Sequence, residues 1–434
     1  MKYYLAIDIG ASSGRHIIGV YRDGKLETDE IYRFSNGVKN VDEHLIWDVQ
    51  YLFEEVVKGI GLALKTYPTI ESMSIDTWGV DYVLLKEDKE VLPIYAYRDT
   101  RTKEIIDEVH KIIPFKDLYS MTGCQFQEFN TVYQLYKDKV DGRLEGVTDF
   151  LHIPEYLMYR LTGKKVKEYT NASTTGMMEL NTKTYSKRII EELGLDNKLF
   201  KPLYKQGYEV GGFLPEIQNK VNGNIKVVLC STHDTAAAVE GIPMKENAPY
   251  ISSGTWSLLG VKHESGINTN VAMRANYSNE YGPNYVRLQK NIMGMWIYNN
   301  LAKDLNVSAI ELEQMARNSK YNEVFDVNAD CFLSSLHMKE AITQWYIRHL
   351  KKAPRTSEDF ARAVCISLAY SYKKAIAELE KITKQNFDSI YIVGGGAKNK
   401  LLNDLTGQYT KKKIIALPIE ATAIGNLLGQ IKGV

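Results

Sequence analysis

The chain has 434 residues, which is long for one ordinary domain, so two or three compact units are expected. Its 54 basic and 53 acidic side chains nearly cancel, which argues against binding to a nucleic acid or an anionic membrane. The cysteines are far apart in the sequence, as is typical of reduced thiols: Cys124, Cys230, Cys331 and Cys365. Met1 leads directly into a strand-like run with no signal-peptide pattern, and no apolar run approaches the ~20 residues of a membrane span. These features predict a cytoplasmic protein.

The first half opens with a predicted strand, a turn of small residues and a returning strand. The strands cover Lys2–Ile9 and His16–Tyr21, and the turn covers Gly10–Gly14. Later elements are a helix over Trp47–Thr66, a strand from Ser72, a helix over Thr148–Thr162, a strand over Ile225–Cys230 and a helix from Thr235. Gly241-Ile242-Pro243 interrupts that last helix, so a domain boundary is predicted after Ile242.

The second half begins with the same succession. A strand at Tyr250–Ser252, a turn at Ser253–Thr255 and a strand at Trp256–Val261 repeat the opening, as an internal duplication would. The elements that follow are a helix over Phe360–Ile382, a strand over Asp388–Val393 and a helix over Lys398–Tyr409. Mixed strands and helices in both halves predict the α/β class.

The first motif with chemical potential is the stretch from Asp8 to Arg15. Its small residues allow backbone N–H groups to approach an anion, and Arg15 offers a planar fork for phosphate oxygens. Asp8 ends a strand, where a carboxylate can hold Mg²⁺ through water. A plain hairpin turn, with Asp and Ser bonded to local backbone, is an equally simple interpretation.

The second motif is Ser231–Thr235. A carboxylate at Asp234, after a strand and at the head of a helix, can accept a proton from a substrate hydroxyl. The simpler alternative is a helix cap.

Two further glycine-containing stretches are weaker indications of a functional site. Gly394–Gly396 suits a close approach of the backbone to a nucleotide, although it matches neither a Walker A loop nor GxGxxG and can be only a tight turn. Ile75–Asp81 combines two acids and an indole, as in a sugar site or in a buried strand with capping acids. The sequence contains no HExxH, and Gly10–Gly14, which spells GxSxG, leads into a predicted returning strand rather than into the helix of a nucleophile elbow. Metal hydrolysis and acyl transfer therefore lack support.

Taken together and in order, these segments resemble the FGGY family of carbohydrate kinases over nearly the whole chain. The matching stretches are Asp8–Arg15, Ile75–Tyr82, Tyr97–Thr102, Asn130–Thr131, Tyr159–Gly163, Tyr169–Ser173, His233–Thr235, Ser252–Ser257, Lys290–Trp296, Ile392–Gly396 and Glu420–Asn426. Within the family, Asp76–Asp81 and Asn291–Gly294 favour the members that phosphorylate L-rhamnulose.

The resemblance implies two ribonuclease-H-like domains of the actin-like ATPase type around a central cleft. Residues 1–242 would form the sugar-binding domain and residues 243–434 the nucleotide-binding domain. Carried over residue by residue, the positions for ATP are Ala11, Ser12, Ser13, Gly14, Arg15, Thr255, Asn299 and Gly396. Those for the sugar are Gly79, His233, Asp234, Thr235 and Asn291, with Asp234 as the proton acceptor and Asp8 as the residue for Mg²⁺. Asn299 stands where a glutamine is expected.

The expected reaction is therefore ATP-dependent phosphorylation of L-rhamnulose at O1, in L-rhamnose breakdown. L-Fuculose and L-xylulose remain alternative substrates, and an actin-fold ATPase module without sugar chemistry remains an alternative function. Expected partners are the sugar and ATP, with no nucleic acid and no membrane, and the expected state is a monomer or a weak homo-oligomer. Relatives are expected to continue beyond the position of Val434.

Overall fold

The computed structural model describes residues 2–433 except Asp23, Glu246, Ser334, Leu336, Pro418 and Ile419. The chain divides into two compact units. The first unit contains Met1–Gly241, His263–Arg287 and Ala421–Val434, and the second contains Ile242–Lys262 and Leu288–Glu420. The first change of unit falls beside the boundary predicted after Ile242, and two later stretches return to the first unit.

The elements up to residue 241 alternate between short strands and helices. The strands are β1 (Tyr3–Ile9), β2 (Ser13–Arg22), β3 (Lys25–Ser35), β4 (Lys39–Val41), β5 (His44–Trp47), β6 (Ile70–Thr77), β7 (Tyr82–Lys86), β8 (Lys89–Glu90), β9 (Ile94–Tyr95), β10 (Asp149–His152), β11 (Lys167–Glu168), β12 (Leu203–Tyr204), β13 (Glu209–Gly211) and β14 (Lys226–Val228). The helices are α1 (Val49–Thr66), α2 (Ile106–Ile112), α3 (Phe115–Thr122), α4 (Thr131–Val140), α5 (Ile153–Thr162), α6 (Tyr169–Ala172), α7 (Lys187–Glu192), α8 (Pro215–Val221) and α9 (Asp234–Gly241).

The elements after residue 241 include the longest helix. The strands are β15 (Tyr250–Ser253), β16 (Trp256–His263), β17 (Ser278–Tyr281), β18 (Val286–Met293), β19 (Ser389–Val393) and β20 (Lys413–Leu417). The helices are α10 (Asn270–Arg274), α11 (Met295–Asp304), α12 (Ala309–Asn318), α13 (Met338–Leu350), α14 (Ser357–Thr383), α15 (Lys400–Thr410) and α16 (Ala421–Gly433).

The first unit is built on a six-stranded sheet in the order β13-β14-β6-β1-β2-β3. Strand β1 pairs antiparallel with β2 and parallel with β6, and β6 pairs parallel with β14. Leu5 and Ile7 point to one face and join the apolar core that includes Leu52 of α1. Tyr4 and Ala6 point to the other face, in a separate core that includes Leu427 of α16. The near-continuous apolar run of β1 therefore reflects burial on both faces.

The second unit repeats this strand arrangement. Five of its strands follow the order β18-β16-β15-β19-β20. Strand β15 pairs antiparallel with β16 and parallel with β19, and β19 pairs parallel with β20. The order β3-β2-β1-β6-β14 in the first unit is the same topology, so the repeat predicted from two strand–turn–strand segments extends through both sheets.

The last helix, α16, belongs to the first unit because it packs closely on α9. At Gly241 and Gly425 the two backbones approach so closely that a β-carbon would overlap the carbonyl groups of Ala421 and Ala237, respectively. The pair therefore depends on two residues without side chains.

The stretch 263–287 also belongs to the first unit, to which buried hydrogen bonds attach it. The Tyr119 hydroxyl donates to the carbonyl of Tyr277 at 2.7 Å, and the Tyr281 hydroxyl donates to the carbonyl of Leu180 at 2.6 Å. Buried side-chain hydrogen bonds of this kind cannot be read from local sequence patterns.

One predicted helix begins later than expected. The helix predicted over Thr148–Thr162 is the strand β10 followed by α5, because Asp149–His152 pair antiparallel with β7 and Pro154 stands in the first turn of the helix. Among the residues that the structure describes, no helix is long and apolar enough to cross a membrane.

Candidate active site

The turn between β1 and β2 is the predicted phosphate turn. The Gly10 amide donates to the Ser13 carbonyl at 2.9 Å and so closes the turn. From the end of β3, the Asn36 amide donates to the Ser12 carbonyl at 3.0 Å, and its side chain donates to the Gly10 carbonyl at 2.8 Å. Hydrogen bonds from Asn36, which lies outside the turn, thus stabilise the conformation of the turn. Ser12 is exposed, Ala11 and Ser13 are half-buried, and Gly14 is buried.

Asp8 and Arg15 lie opposite each other on β1 and β2 and form an ion pair. Nη2 of Arg15 donates to Oδ2 of Asp8 at 2.6 Å, and the two side chains are 17% and 6% exposed. The pair places one positive and one negative group at the base of the turn, as phosphate and metal binding would each require.

A second carboxylate, Asp76, stands beside Asp8. The two residues are partners in the parallel register of β1 and β6, and Asp76 is fully buried. Its Oδ2 accepts a hydrogen bond from Asn426 at 2.6 Å, whereas Oδ1 has no hydrogen-bond partner among the described residues. Burial, together with the charge of Asp8, raises the pKa of Asp76 well above its ordinary value.

Asp234 occupies the turn from β14 into α9. The turn is tied to the end of β6, because the Thr77 amide donates to the Thr232 carbonyl at 2.9 Å. It is also tied to Glu168, whose carboxylate accepts from the Thr232 hydroxyl at 2.8 Å. Asp234 is the first residue of α9, its side chain is 30% exposed, and Oδ1 accepts from the Thr235 hydroxyl at 3.1 Å. A braced turn therefore presents a partly exposed carboxylate.

His233 connects Asp234 to charges that the sequence interpretation missed. Its Nε2 lies 3.5 Å from Oδ1 of Asp234, and its Nδ1 lies 3.5 Å from Oε2 of Glu280. Arg287 lies 3.2 Å from the same oxygen of Glu280. Burial raises the pKa of Asp234, and the neighbouring His233 opposes that rise. Desolvation and the positive charge of Arg287 therefore act on the pKa of Asp234 in opposite directions.

Gly79 lies next to His233. A β-carbon built on it would stand 3.3 Å from Cδ2 of His233 and 3.1 Å from the side chain of Thr174. The structure thus brings together the predicted sugar-site residues of the first unit: Gly79, His233, Asp234 and Thr235.

The predicted site residues of the second unit surround its own strand–turn–strand. The Trp296 amide, in α11, donates to the carbonyl of Thr255 at 3.2 Å, so the turn is joined to the start of that helix. Asn299 is exposed on the same helix, and Asn291 is half-buried in β18. Gly396 is buried in the turn after β19 and packs against Ser253.

The indole of Trp78 does not form an open platform within the first unit. It is 6% exposed and lies against Trp47, with ring centroids 4.1 Å apart. Both indole N–H groups donate to Oδ2 of Asp81, at 2.7 Å from Trp47 and 2.9 Å from Trp78. Of the two interpretations that the sequence left open, these contacts favour the buried structural one for Trp78 and Asp81.

Comparison with known proteins identifies the family of the chain. Residues 3–241 match the N-terminal domain, and residues 249–432 the C-terminal domain, of the FGGY family of carbohydrate kinases. The chain belongs to this family. The chain is 40% identical to a rhamnulokinase of Oceanobacillus iheyensis over 99% of its own length and 93% of the relative's, and 39% identical to one of Bacillus subtilis over 99% and 90%.

Two solved structures share the fold at low sequence identity. A ligand-bound xylulose kinase from Lactobacillus acidophilus superposes with a TM-score of 0.81 at 16% identity, covering 100% of this chain and 89% of that one. A glycerol kinase from Plasmodium falciparum with ADP gives 0.79 at 14% identity, covering 100% and 90%. The predicted two-domain FGGY fold is confirmed.

Membership in the FGGY family establishes the kind of reaction. The chain is a carbohydrate kinase, which transfers phosphate to an alcohol group, and the predictions of family and enzyme class are confirmed. The family implies ATP as a substrate and typically a divalent metal. Among the described residues, no group of three or more His, Cys, Asp and Glu side chains is arranged to hold a metal.

Sequence reasoning missed Glu280 and Arg287 and gave no role to Asp76. Asp76 lies in the stretch Ile75–Asp81, and its position at the end of a predicted strand, like that of Asp8, is a signal in the sequence. Glu280 and Arg287 follow the predicted domain boundary, and no local pattern connects them to His233.

Proposed function

We propose that the chain phosphorylates L-rhamnulose at O1 with ATP, giving L-rhamnulose 1-phosphate, ADP and a proton. The observation that carries this proposal is the 34–40% identity to seven rhamnulokinases over nearly the whole chain. Asp234, a partly exposed carboxylate in a braced turn beside His233, supports a phosphoryl transfer that needs a proton acceptor.

In the proposed mechanism, Asp234 accepts the proton of the C1 hydroxyl of the open-chain sugar. The oxygen of that hydroxyl forms a bond to the γ-phosphorus of ATP while the bond from phosphorus to the bridging β–γ oxygen breaks, and ADP leaves. His233, 3.5 Å from Asp234, is proposed to orient the sugar together with Gly79, Thr235 and Asn291. General-base assistance of this kind contributes ~10²–10⁴-fold to a rate.

The residues of the β1–β2 turn are proposed to hold the phosphates of ATP. Arg15 would contact phosphate oxygens with its guanidinium, and the small residues Ala11, Ser12, Ser13 and Gly14 would let the backbone approach them. Thr255, Asn299 and Gly396 of the second unit are proposed as the remaining contacts to the nucleotide.

A magnesium ion would suit Asp8 and Asp76. The buried Oδ1 of Asp76 lacks a hydrogen-bond partner among the described residues, and the raised pKa of Asp76 reflects unfavourable negative charge that a cation would offset. Mg²⁺ is usually held by one or two carboxylates, with phosphate oxygens and water completing its shell. When bound, the ion would neutralise charge on the transferring phosphate.

A coupled assay against a panel of ketoses tests the proposed substrate. With ATP and Mg²⁺, L-rhamnulose should give the highest kcat/KM among L-rhamnulose, L-fuculose, L-xylulose, D-xylulose and glycerol. A site that hydrogen-bonds specific hydroxyls discriminates strongly against analogues that lack them. A preference for L-fuculose or L-xylulose would contradict the proposed substrate but not the proposed kinase activity.

The alternative of an ATPase module without sugar chemistry is tested by the same panel. Such a module would need no proton acceptor for a sugar hydroxyl. It would hydrolyse ATP at one rate with or without each sugar, and no phosphorylated sugar would form. For this kinase we keep the cytoplasmic location and the monomer or weak homo-oligomer predicted from the sequence as proposals.

A further inference from the structure

Within the first unit, Glu280 of β17 and Arg287 of β18 form a buried ion pair. Oε2 of Glu280 lies 3.2 Å from Nη2 of Arg287, and the two side chains are 6% and 0% exposed. The same guanidinium nitrogen donates to the carbonyl of Tyr281 at 3.3 Å. Arg287 is among the largest side chains that are completely buried in this protein.

The pair lies against the imidazole of His233. Nδ1 of His233 is 3.5 Å from Oε2 of Glu280 and 3.4 Å from Nη2 of Arg287. On the other side of the ring, Nε2 is 3.5 Å from Oδ1 of Asp234. Four charged or titratable groups therefore form one cluster, with Glu280 and Arg287 on one side of the His233 ring and Asp234 on the other.

We propose that Glu280 and Arg287 are positioning residues for the sugar side of the active site, holding the imidazole of His233 beside Asp234. Glu280 contacts the ring through Nδ1, which leaves Nε2 directed towards Asp234 and a substrate hydroxyl. Arg287 fixes Glu280 in turn. The inference rests on the proposed function, because it gives His233 and Asp234 their roles in sugar binding and proton transfer.

A buried ion pair is by itself weak evidence of a stabilising role. Removing two charges from water is costly, and apolar residues of similar volume are often as stable or more so. A pair that orients a ring beside a reacting carboxylate has a different benefit, because small misplacements of reacting groups lower rates steeply.

The decisive variant is Glu280→Gln, which keeps the size of the side chain and removes its charge. We expect kcat/KM for the ketose to fall about tenfold or more, since a displacement near 1 Å can cost up to ~10²-fold. The KM for ATP should stay within about twofold of the wild type, because the nucleotide contacts proposed above do not include Glu280. Glu280→Asp, which restores the charge on a shorter arm, should recover part of the loss.

Asp138→Asn is the matched control. Asp138 forms a buried ion pair with Arg101 at 2.7 Å in the same unit, with side-chain exposures of 2% and 5%. It has no part in the proposed site. This variant should lower thermal stability without a selective loss of sugar kcat/KM.

The double variant Glu280→Leu with Arg287→Met tests the inference should Glu280→Gln fold poorly, because it leaves no unpaired buried charge. A stable double variant with a large loss of ketose kcat/KM, and ATP binding retained, supports positioning. A folded Glu280→Gln or double variant with wild-type kcat/KM overturns it. Histidine-selective NMR adds a direct readout, since the His233 ring signals should shift in Glu280→Gln and stay in place in Asp138→Asn.

The two proposals fail in different ways. If the wild-type chain phosphorylates no sugar, the proposed function fails before any variant is compared. If the wild type is active and the variants lose stability but keep their kinetic constants, the ion pair only attaches the stretch 263–287, and the inference alone fails.

Discussion

The two sheets share a strand order and differ in the side chains at the ends of their strands. In the first sheet, Asp8 pairs across the hairpin with Arg15 and across the parallel ladder with Asp76. In the second sheet, Ser252 holds the corresponding place and pairs with Leu258 and Val393. One topology thus yields a charged strand end in one unit and a neutral one in the other.

The difference shows that both units share the same strand–turn–strand backbone, and that the side chains on it determine the chemistry expected of each unit. Both turns are small and rich in Gly, Ser or Thr, which suits an anion that is bound by backbone groups. Three carboxylates lie near strand ends of the first sheet: Asp8 and Asp76 are each the last residue but one of their strand, and Asp234 begins the helix that follows β14. Proton transfer and metal binding are therefore expected of the first unit, and neutral nucleotide contacts of the second.

The largest expected effect concerns Asp234, the carboxylate of the first unit that is proposed to accept the proton. Asp234→Asn should lower kcat about 10²–10⁴-fold while nucleotide binding persists, because the amide keeps the shape and cannot accept the proton. Rapid-quench kinetics would measure the chemical step and calorimetry the binding of ATP. If Asp234→Asn turned over at the wild-type rate, Asp234 would not be the base, and the proposed catalytic difference between the two sheets would be wrong.

The second effect concerns His16, whose place in the second sheet is taken by Leu259. His16 is fully buried, and burial lowers its pKa to about 4. The unfolded chain therefore binds a proton near its ordinary pKa of about 6.5 and the folded one does not, so stability is lost as pH falls from about 6.5 to about 4. The loss is expected to be on the order of 3 kcal/mol.

His16→Leu removes this titration by copying the second sheet. Urea unfolding at pH 7 and at pH 4.5 should show that acidification destabilises the wild type by up to about 3 kcal/mol more than the variant. The Val56 carbonyl, 3.1 Å from Nε2 of His16, loses its partner in the variant, so the comparison is between pH values and not at one pH. Equal pH responses would show that His16 is not the group that titrates.

The smallest effect concerns the metal. Asp8→Asn should weaken binding of Mn²⁺ with a nucleotide about 10–100-fold, the range found for groups that act on a metal through an intervening ligand. Ser252→Ala, at the corresponding place in the second sheet, is the control and should leave Mn²⁺ binding within twofold. Paramagnetic resonance of Mn²⁺ gives the affinity without reference to turnover, and equal affinities for both variants would contradict the proposed role of Asp8.

The sequence was informative wherever the determinant was local. The strand-forming residues of β1, the small residues of the turn, the start of α9 and the long helix α14 were all predicted and correspond to observed elements. Strand β10 was missed because its identity depends on pairing with β7 rather than on its own pattern. The partners of the site were missed for the same reason: Asn426 reaches Asp76 across 350 positions of the chain, and Glu280 and Arg287 reach His233 from beyond the predicted boundary.

Helix α16 has a consequence for the time at which the protein becomes functional during translation. Its Gln430 donates to the carbonyl of Leu5 at 2.9 Å, 425 positions earlier in the chain, and its Asn426 donates to Asp76. Residues synthesised long after β1 therefore complete the contacts of that strand. The ribosome must release α16 before β1 has its full set of contacts on that face. Until α16 has emerged, Asp76 lacks its amide partner, so the first unit cannot be completed in the order in which its segments are synthesised.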